Sequence, residues 1–217
     1  MLQRPLSTSE FFAHYIEGYL LGDLENMSKI QPDRITKLGG VCYPMVLSTL
    51  SGIEMLGTLL YPDSTDQGRE DYFLHYWDNY LVKVDSQYEN LGTLFYNLLR
   101  HSLAHTFLTK HGIGIWKKGN KSLLINLNSK DFKIIVDCNL FFRDFEKSYR
   151  QFVTPVINND IEKLSLITLR LETLKSRFEA DSLKYFNEFE KSLLEKNTKS
   201  LVNYQTEYNP NNTGVSI

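Results

Sequence analysis

Apolar and polar positions alternate along this chain with two distinct periods. Near the start, Ser7 and Glu10 have the S-x-x-E spacing of a capping box, and Phe11, Phe12, Tyr15, Ile16, Tyr19 and Leu20 follow at helical intervals. A first helix is predicted from about residue 8 to the high twenties. The loop QPDRITKLGG then leads into VCYPMVLSTLSGIEMLGTLLY, residues 41–61, a nearly continuous apolar run closed by the turn residues YPDSTDQG. A third helix fits REDYFLHYWDNYLVKV, with Phe73, Tyr76, Trp77, Tyr80 and Leu81 on one side. A fourth fits QYENLGTLFYNLLRHSLAHTFL, striped by Leu91, Leu94, Phe95, Leu98, Leu99 and Leu103.

After Thr109 the period shortens. GIGIWKKGNKSLLINL reads as two short strands around a Gly119-Asn120 turn, and DFKIIVD as a third, which predicts a small β element over about 113–137 with a hairpin at 113–128. Helix returns in NLFFRDFEKSYRQFVTPVI, with a break expected near Pro155. A long charged helix follows over about 160–196, carrying Leu164, Ile167, Leu171 and Leu174 on one face. The Asn-rich segment 197–217 has no period and is expected to be mobile. These patterns predict a mainly α fold: a helical bundle with a small inserted three-strand element and a long C-terminal helix, all in a single domain over 1–196.

Composition changes this picture little. The chain has 217 residues, 42% hydrophobic and 23% charged, values of an ordinary globular protein. Its 13 Tyr, 13 Phe and 2 Trp recur at helical spacing and are expected mainly in the core. Segment 41–61 approaches membrane-spanning length, but Glu54, the hydroxyls of Ser48, Thr49 and Ser51, and Pro44 favour a helix buried in a bundle, so no membrane partner is expected. Cys42 and Cys138 are far apart in sequence and form neither a C-x-x-C pair nor a zinc spacing. The N-terminus lacks the pattern of a secretory signal, and a cytoplasmic location is expected.

Candidate chemistry concentrates in LLRHSLAHTFLTKHG, residues 98–112, which holds Arg100 and three of the five histidines; His14 and His75 lie singly among aromatics. Three readings of this segment compete. Arg100, His101 and His105 can form the solvated side of helix four. His101 and His105, four residues apart, can share a metal with His111, although no acidic residue falls within the H-x-x-x-H and no cysteine is near. In the third reading Arg100 grips a phosphate while imidazole, which titrates near neutral pH, takes the proton of a ribose 2′-hydroxyl. That chemistry cleaves RNA without a metal or other cofactor.

RHSLAH resembles the R-x4-6-H motif of the HEPN superfamily (higher eukaryotes and prokaryotes nucleotide-binding), including its preference for Asn, Asp or His directly after the arginine. The flanking text LFYNLLRHSLAHTF is also similar to a pattern common in bacterial members, LLY-x-L-F-R-N-G-L-x-H. The resemblance spans about residues 8–157 in architecture and some fourteen residues in motif. It implies a helical bundle, a homodimer that brings two motifs together, and in active members an endoribonuclease, often a toxin or phage-defence effector. Arg100 would then contact phosphate, His105 would act as general base or acid, and His101 would support them. An antitoxin or other protein partner is implied for toxin members. Many HEPN-like domains are instead noncatalytic modules that bind nucleotides or partners, and this alternative stays open.

Charge distribution favours the RNA reading. Residues 1–99 carry a balance of −7 and residues 134–217 a balance of −1, whereas 100–133 carry +6 because Arg100 and Lys110, Lys117, Lys118, Lys121, Lys130 and Lys133 face only Asp131. Lys110, Trp116, Lys117, Lys118 and Lys121 are the expected RNA contacts, with Trp116 placed to stack on a base and the lysines forming a positive rim. Lysines on an exposed hairpin also discourage strand pairing between molecules, which is the competing explanation.

Overall fold

The capping box forms as its spacing implies. In the computed structural model, which describes residues 7–36, 39–62, 68–117 and 119–195, Glu10 N donates to Ser7 Oγ at 3.2 Å and Ser7 N donates to Glu10 Oε2 at 2.8 Å. These bonds satisfy amides that a helix start leaves open. Helix α1 follows in three consecutive segments, Thr8–Phe11, a π-helical stretch Phe12–Leu21, and Gly22–Lys29.

Helix α2, Cys42–Leu60, is buried on most sides through Met45, Val46, Leu50, Ile53, Leu56 and Leu59. Two of its hydroxyls bond backwards within the helix, Thr49 Oγ1 to Met45 O and Thr58 Oγ1 to Glu54 O, both at 2.9 Å, so these two donors are satisfied. Helix α3 runs Arg69–Tyr76 and continues as a π segment, Trp77–Leu81. It lies tightly on α2 at Gly57, where an added Cβ would come within 1.9 Å of the Tyr72 carbonyl oxygen.

Helix α4 comprises Gly92–Phe95, a π segment Tyr96–Arg100, and His101–Thr106. It starts five residues later than its apolar pattern suggests. Ser86–Tyr88 forms a 3-10 turn instead, and Asn90 in the left-handed region at φ 61° interrupts the helical path. The aromatics meet as a core around Trp77, whose ring lies 4.7 Å from Phe95 and 5.5 Å from both Phe73 and Tyr88, with its indole N–H donating to Tyr88 O at 2.9 Å. Each ring is fully buried.

Strands β1 (Gly112–Trp116), β2 (Leu123–Ile125) and β3 (Phe132–Asp137) form one sheet in the order β1-β3-β2. β3 is parallel to β1 and antiparallel to β2, so the expected hairpin around Gly119-Asn120 does not form. The apolar run of β3 takes the centre, and Asp137 at its end captures the incoming loop, its Oδ2 accepting from Gly119 N at 2.5 Å. The inner face carries Ile113, Leu123, Ile134 and Val136 into the core.

Asp137 also caps helix α5, with Oδ1 accepting from Leu140 N at 2.9 Å. α5 runs Cys138–Ser148, a π segment Tyr149–Val153, and Thr154–Asn159. Pro155 does not break it: the wide π turn ahead absorbs the ring, and the helix stops at Asp160. The long helix α6, Ile161–Glu195, begins there, and its Ile167 and Leu171 are buried. Arg170 donates to Thr58 O at 3.0 Å, and the Thr168 and Thr8 hydroxyls bond at 2.7 Å.

The fold is thus mainly α with a small inserted sheet and a long C-terminal helix. The chain divides into two units, Met1–Leu171 and Glu172–Ile217, with the division inside α6 rather than at its end. In the second unit the α6 residues Phe178, Leu183, Tyr185, Phe186 and Phe189 are exposed. The segment expected to be mobile, 197–217, lies outside the described residues. Among the described residues no helix is long and apolar enough to cross a membrane.

Candidate functional site

The motif RHSLAH straddles a change of helical pitch. Arg100 ends the π segment of α4 and His101 begins the α-helical turn, so the backbone widens just before the histidines. Leu99 and Leu103 anchor the helix in the core. The intervening positions set the directions of the three polar side chains.

Arg100 turns towards α2. Its Nε lies 2.7 Å from Glu54 Oε2, with side-chain exposures of 18% and 12%. The two atoms approach without hydrogen-bond alignment, so the contact is an ion pair. Among the described residues the terminal guanidinium nitrogens carry no hydrogen bond. Tyr96, one turn earlier, feels the same pair: burial first and then the Glu54 carboxylate push its hydroxyl up, while Arg100 pulls it down. Asn97 donates to Glu70 Oε1 at 3.2 Å and to Thr93 O at 3.0 Å, tying this part of α4 to α3.

His101 and His105 face solvent on the next turn. Their rings lie 4.5 Å apart, centre to centre, and are tilted by 53°. The spacing of four residues places them one above the other, as helical geometry requires. Thr106 Oγ1 bonds back to Ser102 O at 2.9 Å, and Phe107 ends the helix in the left-handed region at φ 56°, its ring 6.0 Å from Tyr43 of α2. His111 is exposed beyond this reversal. Among the described residues no group of three or more His, Cys, Asp or Glu side chains is arranged to hold a metal, so His111 is not brought to the pair as a third ligand.

The expected RNA-contacting residues separate. Lys110 and Lys121 are exposed, and Trp116 is half-exposed. Lys118 lies outside the described residues. Lys117 departs from the expected rim altogether, since it is only 6% exposed and its ammonium donates to Met27 O at 2.8 Å, to Gly40 O at 3.3 Å and to Ile30 O. Met27 and Ile30 lie at the C-terminal end of α1, where Met27 O also accepts from Ile30 N at 3.1 Å and a lysine is a fitting further donor. Lys117 is a structural clamp.

Glu54 is the site residue that the motif did not reveal. Its signal was available as one carboxylate inside an otherwise apolar helix, where burial demands a partner. The chain matches no family model, no curated protein and no solved structure.

Proposed function

We propose that the protein is a metal-independent endoribonuclease of HEPN type. The observation that carries this reading is the paired, solvent-facing imidazoles of His101 and His105 directly after an arginine that is ion-paired with Glu54 through Nε. Glu54 fixes the orientation of Arg100 and leaves its two-pronged end for a phosphate, where it offsets charge building on the oxygens. His105 takes the proton of the 2′-hydroxyl, and the freed oxygen attacks the adjacent phosphorus to give a cyclic phosphate and expels the 5′ oxygen of the next nucleotide, which takes a proton from water and leaves as a hydroxyl. His101, leaning on His105, positions that ring. An isologous homodimer through the α4 face pools two such motifs, because Arg100 and the histidines leave the helix in different directions. Lys110, Lys121 and Trp116 supply contacts to flanking RNA. A toxin or phage-defence setting, with an antitoxin or other protein partner, belongs to this reading.

A second reading has its own support. An arginine in a mostly buried ion pair also serves as a brace between α2 and α4, and the protein is then a noncatalytic nucleotide- or partner-binding module. Purified protein incubated with mixed single-stranded RNA in EDTA distinguishes the two. The nuclease reading expects cleavage that Arg100→Ala and His105→Ala each abolish in folded protein. Cleavage unchanged in both variants, or lost on adding the chelator, refutes it; no cleavage at all favours the module.

A further inference from the structure

Cys42 and Cys138, 96 positions apart in sequence, meet in the fold. Each is the first residue of a helix, α2 and the Cys138–Ser148 segment of α5, so two helix N-termini converge on one pair of sulfurs. Each thiol is the largest influence on the other's ionisation, which sets the two side chains next to one another. Lys117 brings a positive charge to the same place. Its ammonium shares the Gly40 carbonyl with the Cys42 thiol, at 3.3 Å and 3.7 Å respectively. Lys117 follows directly on Trp116 and Cys138 directly on Asp137, and Trp116 and Asp137 are the last paired positions of the sheet. Cys42 is partly exposed and Cys138 fully buried. A partly exposed cysteine, a covered neighbour and a fixed cation form the arrangement that reactive dithiols use.

We propose that Cys42 and Cys138 form a peroxide-oxidisable dithiol, with Cys42 the attacking sulfur and Cys138 the resolving one. The Cys42 thiolate attacks one oxygen of hydrogen peroxide. The O–O bond breaks, hydroxide leaves and is protonated to water, and Cys42 becomes a sulfenic acid. Cys138 then attacks the Cys42 sulfur, the S–O bond breaks, and the departing hydroxide takes the Cys138 proton as a second water. The two sulfurs lose two electrons, and one peroxide is reduced to two waters.

Electrostatics fits this order. The Cys42 thiol is lowered to about 7, first by the hydrogen bond from Cys138 and then by Lys117, against burial and the Asp137 carboxylate. The Cys138 thiol is pushed up, first by its bond to Cys42 and then by burial. One sulfur is therefore ready to attack at neutral pH, and the other holds its proton until the sulfenic acid forms.

The test uses the full chain, reduced, desalted and exposed to a small excess of hydrogen peroxide. The expected product is a monomer lighter by about 2 Da, which yields a Cys42–Cys138 cross-linked peptide on non-reducing digestion and is reversed by dithiothreitol. In Cys138→Ser, dimedone traps the sulfenic acid on Cys42, and in Cys42→Ser the remaining thiol oxidises at least tenfold more slowly. Where a variant fails to fold, reduced wild type is alkylated with iodoacetamide: Cys42 should react before Cys138, with a midpoint near pH 7. Two free thiols after peroxide, disulfide dimers through Cys42, or alkylation of Cys138 first would overturn the proposal.

Discussion

Replacing Glu54 by Gln keeps the shape of the side chain and removes the charge opposite Arg100. A fully buried pair broken on one side costs about 3–5 kcal/mol, because the remaining charge is stranded, while an exposed pair is worth about 0.2–1 kcal/mol. Exposures of 18% and 12% place this pair between those limits and nearer the first. Discounting for the water that still reaches it gives a loss of about 2–3 kcal/mol. For a chain of this length that lowers the thermal midpoint by about 5–10 °C. Arg100→Met strands Glu54 instead and should cost a similar amount. The double variant Glu54→Leu/Arg100→Met leaves no orphan charge and should recover at least about 1.5 kcal/mol relative to the sum of the single losses. Urea unfolding of Glu54→Leu, Arg100→Met and the double variant supplies the cycle, with Glu54→Gln followed by thermal melting. Additivity within about 0.5 kcal/mol would refute the claim that the two side chains depend on each other.

Further outcomes follow from other sites. Gly57→Ala drives a Cβ to 1.9 Å from the Tyr72 carbonyl oxygen, so α2 and α3 must separate; a loss of about 3 kcal/mol or more is expected in urea unfolding. Lys117→Met removes the donor for three carbonyls and should cost about 2–4 kcal/mol, whereas Lys121→Ser should change stability by under about 0.5 kcal/mol. Burial lowers the pKa of His75, so the folded protein disfavours its charged form. The unfolded chain takes up this proton below about pH 6.5, so stability from this group is full above that value and falls as pH drops towards the folded-state pKa. Burial raises the Asp78 carboxyl, so its contribution has the opposite sign: it is full below the unfolded value and is lost as pH rises through the folded one, and His75→Phe leaves that carboxyl in place. Melting between pH 7.5 and 5.5 should show the His75 decline, and His75→Phe should remove it.

The helices were legible because apolar spacing reports which face is buried, and burial is what holds these segments together. Thus the capping box at Ser7 and the aromatic positions of α3 are found where their pattern puts them. Strand order was not legible, since a Gly-Asn turn between short strands is an equally good local signal whether or not the strands pair. Capture of Gly119 by Asp137 and burial of β3 in the centre decide the topology, and both are long-range. Lys117 was misread for the same reason: its partners, the carbonyls of Met27, Ile30 and Gly40, lie more than 75 residues earlier. The meeting of Cys42 with Cys138 has no local signature at all. In the candidate site, the meeting of His101 with His105 follows from a spacing of four, but the inward turn of Arg100 required knowing that Glu54 waits on α2.

Cleavage of a defined single-stranded RNA in EDTA, with the fragment ends read by mass spectrometry, tests the RNA-cleaving assignment most directly. Attack by a 2′-hydroxyl predicts a 2′,3′-cyclic phosphate on one fragment and a 5′-hydroxyl on the other, no cutting where the 2′-hydroxyl is methylated, and no fragments from folded His105→Ala. Fragments ending in 5′-phosphate, or the same fragments from His105→Ala as from wild type, would contradict the role given to the histidines.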